Sequence, residues 1–235
     1  MVPVSSRNLA VVGAVVAVLV AACASVLDER AASALREALT RAVGPAASYD
    51  VQVSGASLDA SRFERVAVVG SRVARARAPV IDRIELELHG VVVDRREKRL
   101  VALADSRGEL RVRAADLTAF LDRSGWIDDA RVTLAAPDRI RVSGRPRIAG
   151  IALPAGDAIE IEGRLFAAGT QLRLALDRLR IGNTSAPPLV RGLVEGAFNP
   201  LFDAAGHPLP AQVDAVAVDA EALRIAASGS RLPAP

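Results

Sequence analysis

The side chains able to do chemistry in this chain are few, and their spacing does not build a catalytic centre. The single cysteine, Cys23, stands near the end of an uncharged apolar run from Leu9 to Leu27. Of the two histidines, His89 falls at an exposed-type position in an alternating segment and His207 lies between Gly206 and Pro208. Asp203 and His207 are four residues apart, but glycine and proline break the helix that would align them. The acids Asp128-Asp129 and Glu160/Glu162 have no partner base in the pattern. No metal-ligand spacing, nucleophile elbow or phosphate loop appears, so neither catalysis nor a metal nor a cofactor is expected. Arg72, Arg75 and Arg77, with the charged turn from Asp94 to Arg99, are candidates for anionic headgroups, because guanidinium forks suit bidentate phosphate contact. A solvated charged loop is the commoner reading of either cluster.

The run that carries Cys23 sets the compartment. Leu9 to Val20 has the length of a secretory signal core, and Ala21-Ala22 supplies small residues before the cysteine. The order Val20-Ala21-Ala22-Cys23 resembles the lipobox of bacterial lipoproteins, in which the thiol receives a diacylglyceryl group and becomes the new N-terminus. The rival is an uncleaved signal anchor, since roughly 18 uninterrupted apolar residues can span a bilayer. Arg7 before the run and Asp28 and Glu29 after it orient the N-terminus inside under either reading. Residues 1–27 are thus expected to be a signal peptide, lipoprotein leader or signal anchor. Residues 28–235 form a single domain in the cell envelope, periplasmic or otherwise extracytoplasmic.

Apolar residues make up 51% of the chain but aromatics only 3%, so cores and binding surfaces must be aliphatic. That is unlike a nucleic-acid-binding protein, which leans on stacking aromatics. The net charge of +3 comes from arginines interleaved with acids, as in Asp82-Arg83-Ile84-Glu85, and not from a phosphate-tracking stripe. Nucleic acid is excluded as a partner on both counts.

The elements that position these residues follow from period. Asp28 to Val43 places Leu35, Leu39 and Val43 at spacing four and is a helix stopped by Gly44-Pro45. From Tyr49 the period becomes two: Tyr49-Val51-Val53, Phe63 to Val69, Ile84-Leu86-Leu88, Val91 to Val93, and Leu110-Val112. A short helix, Ala115 to Arg123, has Asp116 as expected N-cap and carries Leu117, Phe120 and Leu121 on one face, with Trp126 as cover. Strands resume through Val132-Leu134, a Pro137-Asp138 turn, Ile140-Val142, Ile159-Ile161 and Leu172-Leu174-Leu176. A second helix, Leu189 to Phe198, is expected to align Leu189, Leu193, Val194 and Phe198 before Asn199-Pro200 ends it, and Val213 to Ile225 supplies closing strands. The class is α+β, a long curved antiparallel β-sheet wrapped around a few helices.

Several stretches in this order resemble the LmeA-like phospholipid-binding proteins of the bacterial envelope. They are Val51-Gln52-Val53-Ser54-Gly55, Phe63-Glu64-Arg65-Val66-Ala67-Val68, and Gly108 to Val112 leading into Ala115-Asp116-Leu117-Thr118-Ala119-Phe120-Leu121. Near the end, Asn199-Pro200-Leu201-Phe202-Asp203 precedes Gly206 and Pro208-Leu209-Pro210. The resemblance covers most of the chain after the leader and carries no catalytic signature. It implies a sheet wrapped around helices, similar to tubular lipid-binding domains, with an apolar groove for the acyl chains of a phospholipid beside a membrane surface.

Candidate groove residues are the apolar faces already found: Ile84, Leu86, Leu88, Leu110, Val112, Leu117, Phe120, Leu121, Leu172, Leu174, Leu176, Leu193 and Phe198. For any one of them, ordinary core packing is the competing reading, because period locates the inner face and not a cavity within it. Two other functions stay in play. One is a structural or adaptor envelope lipoprotein with a packed interior and a protein partner; the other, weaker, is an enzyme of envelope glycolipid synthesis.

Overall fold

Segments with one apolar and one charged face become antiparallel strands, and the long alternations here become long strands. The computed structural model describes residues 32–33, 35–41, 43–57, 59, 61–76, 78–94, 96–97, 99–125, 127–146, 158–205 and 212–232. The leader with Cys23, together with Arg77, Trp126 and His207, lies outside these residues. No helix among the described residues is long and apolar enough to cross a membrane.

Helix α1 (32–33 and 35–41) leads into β1 (Ser48–Ala56), β2 (Arg62–Val73), β3 (Ile81–Asp94) and β4 (Arg99–Arg113). Helix α2 (Ala114–Ser124) follows, then β5 (Ile127–Ala135), β6 (Arg139–Pro146), β7 (Ile159–Ala168), β8 (Gln171–Ile181) and the short β9 (Thr184–Ser185). Helix α3 (Pro188–Phe198), the short β10 (Phe202–Asp203), β11 (Gln212–Val218) and β12 (Ala222–Leu232) complete the chain. The fold is α+β, and the antiparallel pairing is divided between two six-stranded sheets. The larger, with the longer strands, runs β1-β2-β3-β4-β12-β11; the smaller runs β10-β8-β7-β6-β5, with β9 also on β8. The division follows from α2, which turns the chain away after β4, so that β5 to β8 pair with one another and only β11 and β12 return to the first sheet.

The inner face of the larger sheet is covered from two sides. At one end Leu35, Leu39 and Val43 of the α1 segment, on one stripe at spacing four, pack on Val66, Val68, Leu88 and Val91. At the other, α2 and the smaller sheet pack on Val213, Val218, Leu223 and Ile225. Hydrogen bonds from Val213 N to Gly169 O and from Val218 N to Pro137 O fasten β11 to two turns of the smaller sheet.

A crease crosses the larger sheet where Gly55 (φ 65°) and Gly90 (φ 59°) flank Glu64. Buried positions change parity across it: Val66 then Phe63, Leu88 then Val91, Ser106 then Leu103. A Cβ at Gly90 would stand 2.8 Å from the Ala104 methyl, so the left-handed backbone and the close approach both require glycine.

Helix α2 begins one residue before the expected start, and its cap differs. Arg113 is the N-cap and makes no side-chain cap bond, while Asp116 sits within the first turn. Arg72 Nη1 and Nη2 donate to the two Asp116 oxygens at 2.6 and 2.8 Å, which occupies the carboxylate that a cap would have needed. Gly125 (φ 72°) ends the helix in the left-handed conformation.

Candidate functional site

Between the two covered ends, the inner face of the larger sheet is open, and a groove of about 510 Å³ lies there. Its floor is Ile84 and Leu86 of β3, Gly108, Leu110 and Val112 of β4, and Ile225 and Ala227 of β12. These face one another by register: Ile84 opposite Leu110, Leu86 opposite Gly108, Leu110 opposite Ile225, Gly108 opposite Ala227. The walls are Phe120 of α2, Val43 at the end of α1, the β2–β3 connection at Ala76, Ala78 and Pro79, and the segment Pro200 to Ala204.

The groove exists because the two covers do not meet. Leu110 packs against both core clusters and marks the seam. Gly108 and its neighbour Ala227 keep the floor low there. A Cβ at Gly108 would stand 2.6 Å from Leu86 Cδ2 and 3.0 Å from Glu85 O, so a larger residue drives Leu86 upward into the space.

The far wall hangs on the edge of β8. Asn199 uses its side-chain amide as a strand residue uses its backbone: its Oδ1 accepts from Leu174 N at 2.7 Å and its Nδ2 donates to Leu174 O at 2.8 Å. Leu201 N then donates to Leu172 O, Phe202 pairs with Leu172, and Ala204 N donates to Thr170 O. Pro200, Leu201 and Phe202 are thereby held against the opening.

Polar groups are few along this lining: Ser106, Arg107, Ser228, Asp203 and Arg75. Asp203 accepts from Thr170 Oγ1 and Gln171 Nε2, which places its charge in the wall's own support. At the α1 end, the Tyr49 hydroxyl donates to Gly44 O at 2.7 Å, and burial raises its pKa against the opposing pull of the Arg75 charge.

The predicted residues separate into groups. Ile84, Leu86, Leu110, Val112 and Phe120 line the groove together. Leu88 is fully buried under α1, and Leu121, Leu172, Leu174 and Phe198 are buried in the other cluster, with Leu117 and Leu176 packed against it. Leu193 points elsewhere: it is 57% exposed on α3, and Leu189 is 77% exposed. Val190, Val194 and Phe198, at spacing four, already form the inward stripe, which leaves Leu189 and Leu193 about a quarter-turn away.

Arg75 reaches the groove lining, but Arg72 is a structural ion pair. Besides its bidentate bond to Asp116 it lies 3.6 Å from buried Asp82, which Arg113 also meets at 2.7 Å. The hydrogen bond to Asp116 raises the Arg72 pKa. Other acids serve as partners on the strands: Glu160 and Glu162 flank Arg141, Asp129 meets Arg145, and Glu87 meets Arg65 across strands and His89 on its own strand. Among the described residues no group of three His, Cys, Asp or Glu side chains is placed to hold a metal ion.

Reading the sequence missed Gly108, Ala227 and the Pro200–Phe202 wall. The first two are small residues at inward positions of alternating strands, which is the signal that could have found them. The wall depends on Asn199 finding the β8 edge, for which the local sequence holds no period.

Comparison with known proteins places this groove in context. No curated protein and no solved structure matches the chain. The family model for LmeA-like phospholipid-binding proteins matches residues 20–228, which include every residue that lines the groove and the described helices. The chain therefore belongs to the LmeA-like phospholipid-binding family.

Proposed function

We propose that this protein is a membrane-tethered, extracytoplasmic phospholipid-binding protein that seats acyl chains in the aliphatic groove and serves cell-envelope lipid or glycolipid homeostasis. It acts by holding lipid and not by converting it. The observation that carries this reading is the open seam at Leu86, Gly108, Leu110 and Ala227, an aliphatic space of about 510 Å³ on the inner face of an otherwise packed sheet. That size lies within the range of small-molecule sites, about 300–1,000 Å³. Acyl chains ask only for apolar lining, and each methylene removed from water contributes ~0.8 kcal/mol. About ten methylenes therefore contribute ~8 kcal/mol before the cost of ordering the chain is subtracted.

Native mass spectrometry of the full chain, purified from a phospholipid-containing host, tests the reading. The wild type is expected to carry a phospholipid-sized adduct, and Ala227→Leu, which fills the floor with an aliphatic group, is expected to lose it while staying folded. A lipid-free wild type would point instead to a packed adaptor, and an adduct unchanged by the filled floor would overturn this groove as the lipid site. For the tether, Cys23→Ser should abolish labelling by a fatty-acid probe; unchanged labelling, or an intact leader in the mature protein, rules out the lipoprotein form.

A further inference from the structure

Helix α3 is apolar on both sides. Val194 and Phe198 are buried in the core, while Leu189 and Leu193 stand 77% and 57% exposed one residue earlier in each turn. From 187 to 201 every exposed residue among those described is proline, leucine or glycine. The helix's two charged residues, Arg191 and Glu195, are only half-exposed and lie off this face. An apolar helix face of this kind left to water, opposite a face already buried in the core, marks an interaction site.

The occupant is indicated by where the face leads. It runs through Pro200 into Leu201, which is 39% exposed and also lines the groove. The exposed positions thus run along the chain from the outside of α3 to the groove lining at Pro200 and Leu201, and Arg191, Glu195 and Asn199 between them are only partly exposed. We infer that the α3–Leu201 face docks on the hydrocarbon boundary of a phospholipid bilayer, so that the groove opens into lipid instead of water. This rests on the reading of the groove as an acyl-chain site. It gives a lipid a path in which its chains stay covered throughout transfer.

The experiment uses the full chain reconstituted in vesicles of phosphatidylcholine and phosphatidylglycerol that contain a phospholipid with a diazirine in its acyl chain. After photolysis, adducts are mapped by mass spectrometry. Two regions should be labelled separately: the exposed residues of α3, and the floor strands at Leu86 and Leu110. Gly192→Asp sets a carboxylate at the centre of the exposed face, where a new Cβ meets nothing within 4 Å, so folding is not at stake. With it, and with Leu189→Ser/Leu193→Ser, α3 adducts should fall about tenfold or more, as expected when leucines are withdrawn from an apolar phase. Floor labelling should then slow in parallel.

Floor adducts with an unlabelled α3 would overturn the docking and leave the groove reading intact. Labelled α3 with an unlabelled floor would overturn the groove reading alone. If chemical cross-linking instead joins α3 to residues 1–31 of the same chain or to a second copy, and the Gly192→Asp and leucine variants keep their lipid adducts, the face is covered by protein and the inference fails.

Discussion

Arg72 has the chemistry of a phosphate ligand and the geometry of a tie-bar. Its φ of 52° costs about 1–2 kcal/mol for a residue with a Cβ, and the bidentate bond to Asp116 offsets that by joining the end of β2 to the first turn of α2. Arg72→Ala leaves the buried Asp116 carboxylate without this partner, so stability measured by urea unfolding should fall by about 1–3 kcal/mol with lipid occupancy unchanged. Lost lipid at unchanged stability would return Arg72 to the headgroup role. Gly108 makes the opposite case, a residue with no chemistry that shapes the site. Gly108→Val should push Leu86 into the groove, lower the fraction of lipid-bearing protein in native mass spectra, and cost about 1–3 kcal/mol in overpacking.

Among the elements, the groove wall from Asn199 to Ala204 is the one most dependent on a single side chain. Asn199→Ala strips Leu174 N and Leu174 O of their partners. The expected result is a loss of about 2 kcal/mol and faster amide exchange at Leu174 and Leu201, read by hydrogen exchange. Period made the other elements legible: α1 and its Leu35–Leu39 stripe, the strands with charged outer faces, and the groove floor at Ile84, Leu86, Leu110 and Val112. It failed where a device other than period decides the structure. The Gly55–Gly90 crease shifts the buried positions by one, so Val91 and Val93 are buried although they are out of phase with Leu88. On α3, two apolar stripes coexist, and a pattern that records only apolarity merged exposed Leu193 with buried Val194. The groove itself is a gap between covers, and no single segment encodes the distance between them.

For the molecule as a whole, three carboxylates tie stability to acid. Bonds from the Ser57 and Ser61 hydroxyls hold Asp59 down to about 2. His89, and then Arg65, lower Glu87, and the backbone N–H groups of Glu221 and Ala222 lower Asp219. Each folded pKa is below its unfolded value, so each contribution is complete above the ordinary carboxylate range of about 4 and is lost as pH falls through the depressed values. Urea midpoints should be level near neutrality and decline from about pH 4 toward pH 2. Charge pairing on the outer face of the larger sheet has a further consequence. Arg65 meets Glu87 at 2.7 Å and Arg83 meets Glu85 at 2.6 Å, and the smaller sheet repeats the scheme with Arg141 and Glu162 at 2.5 Å. With these arginines matched, the outer strand faces of the domain offer little uncompensated charge to attract anionic lipid. Ionic strength, which strips polybasic proteins from vesicles by shortening the reach of their charges, should leave its partitioning nearly constant between about 50 mM and about 500 mM salt.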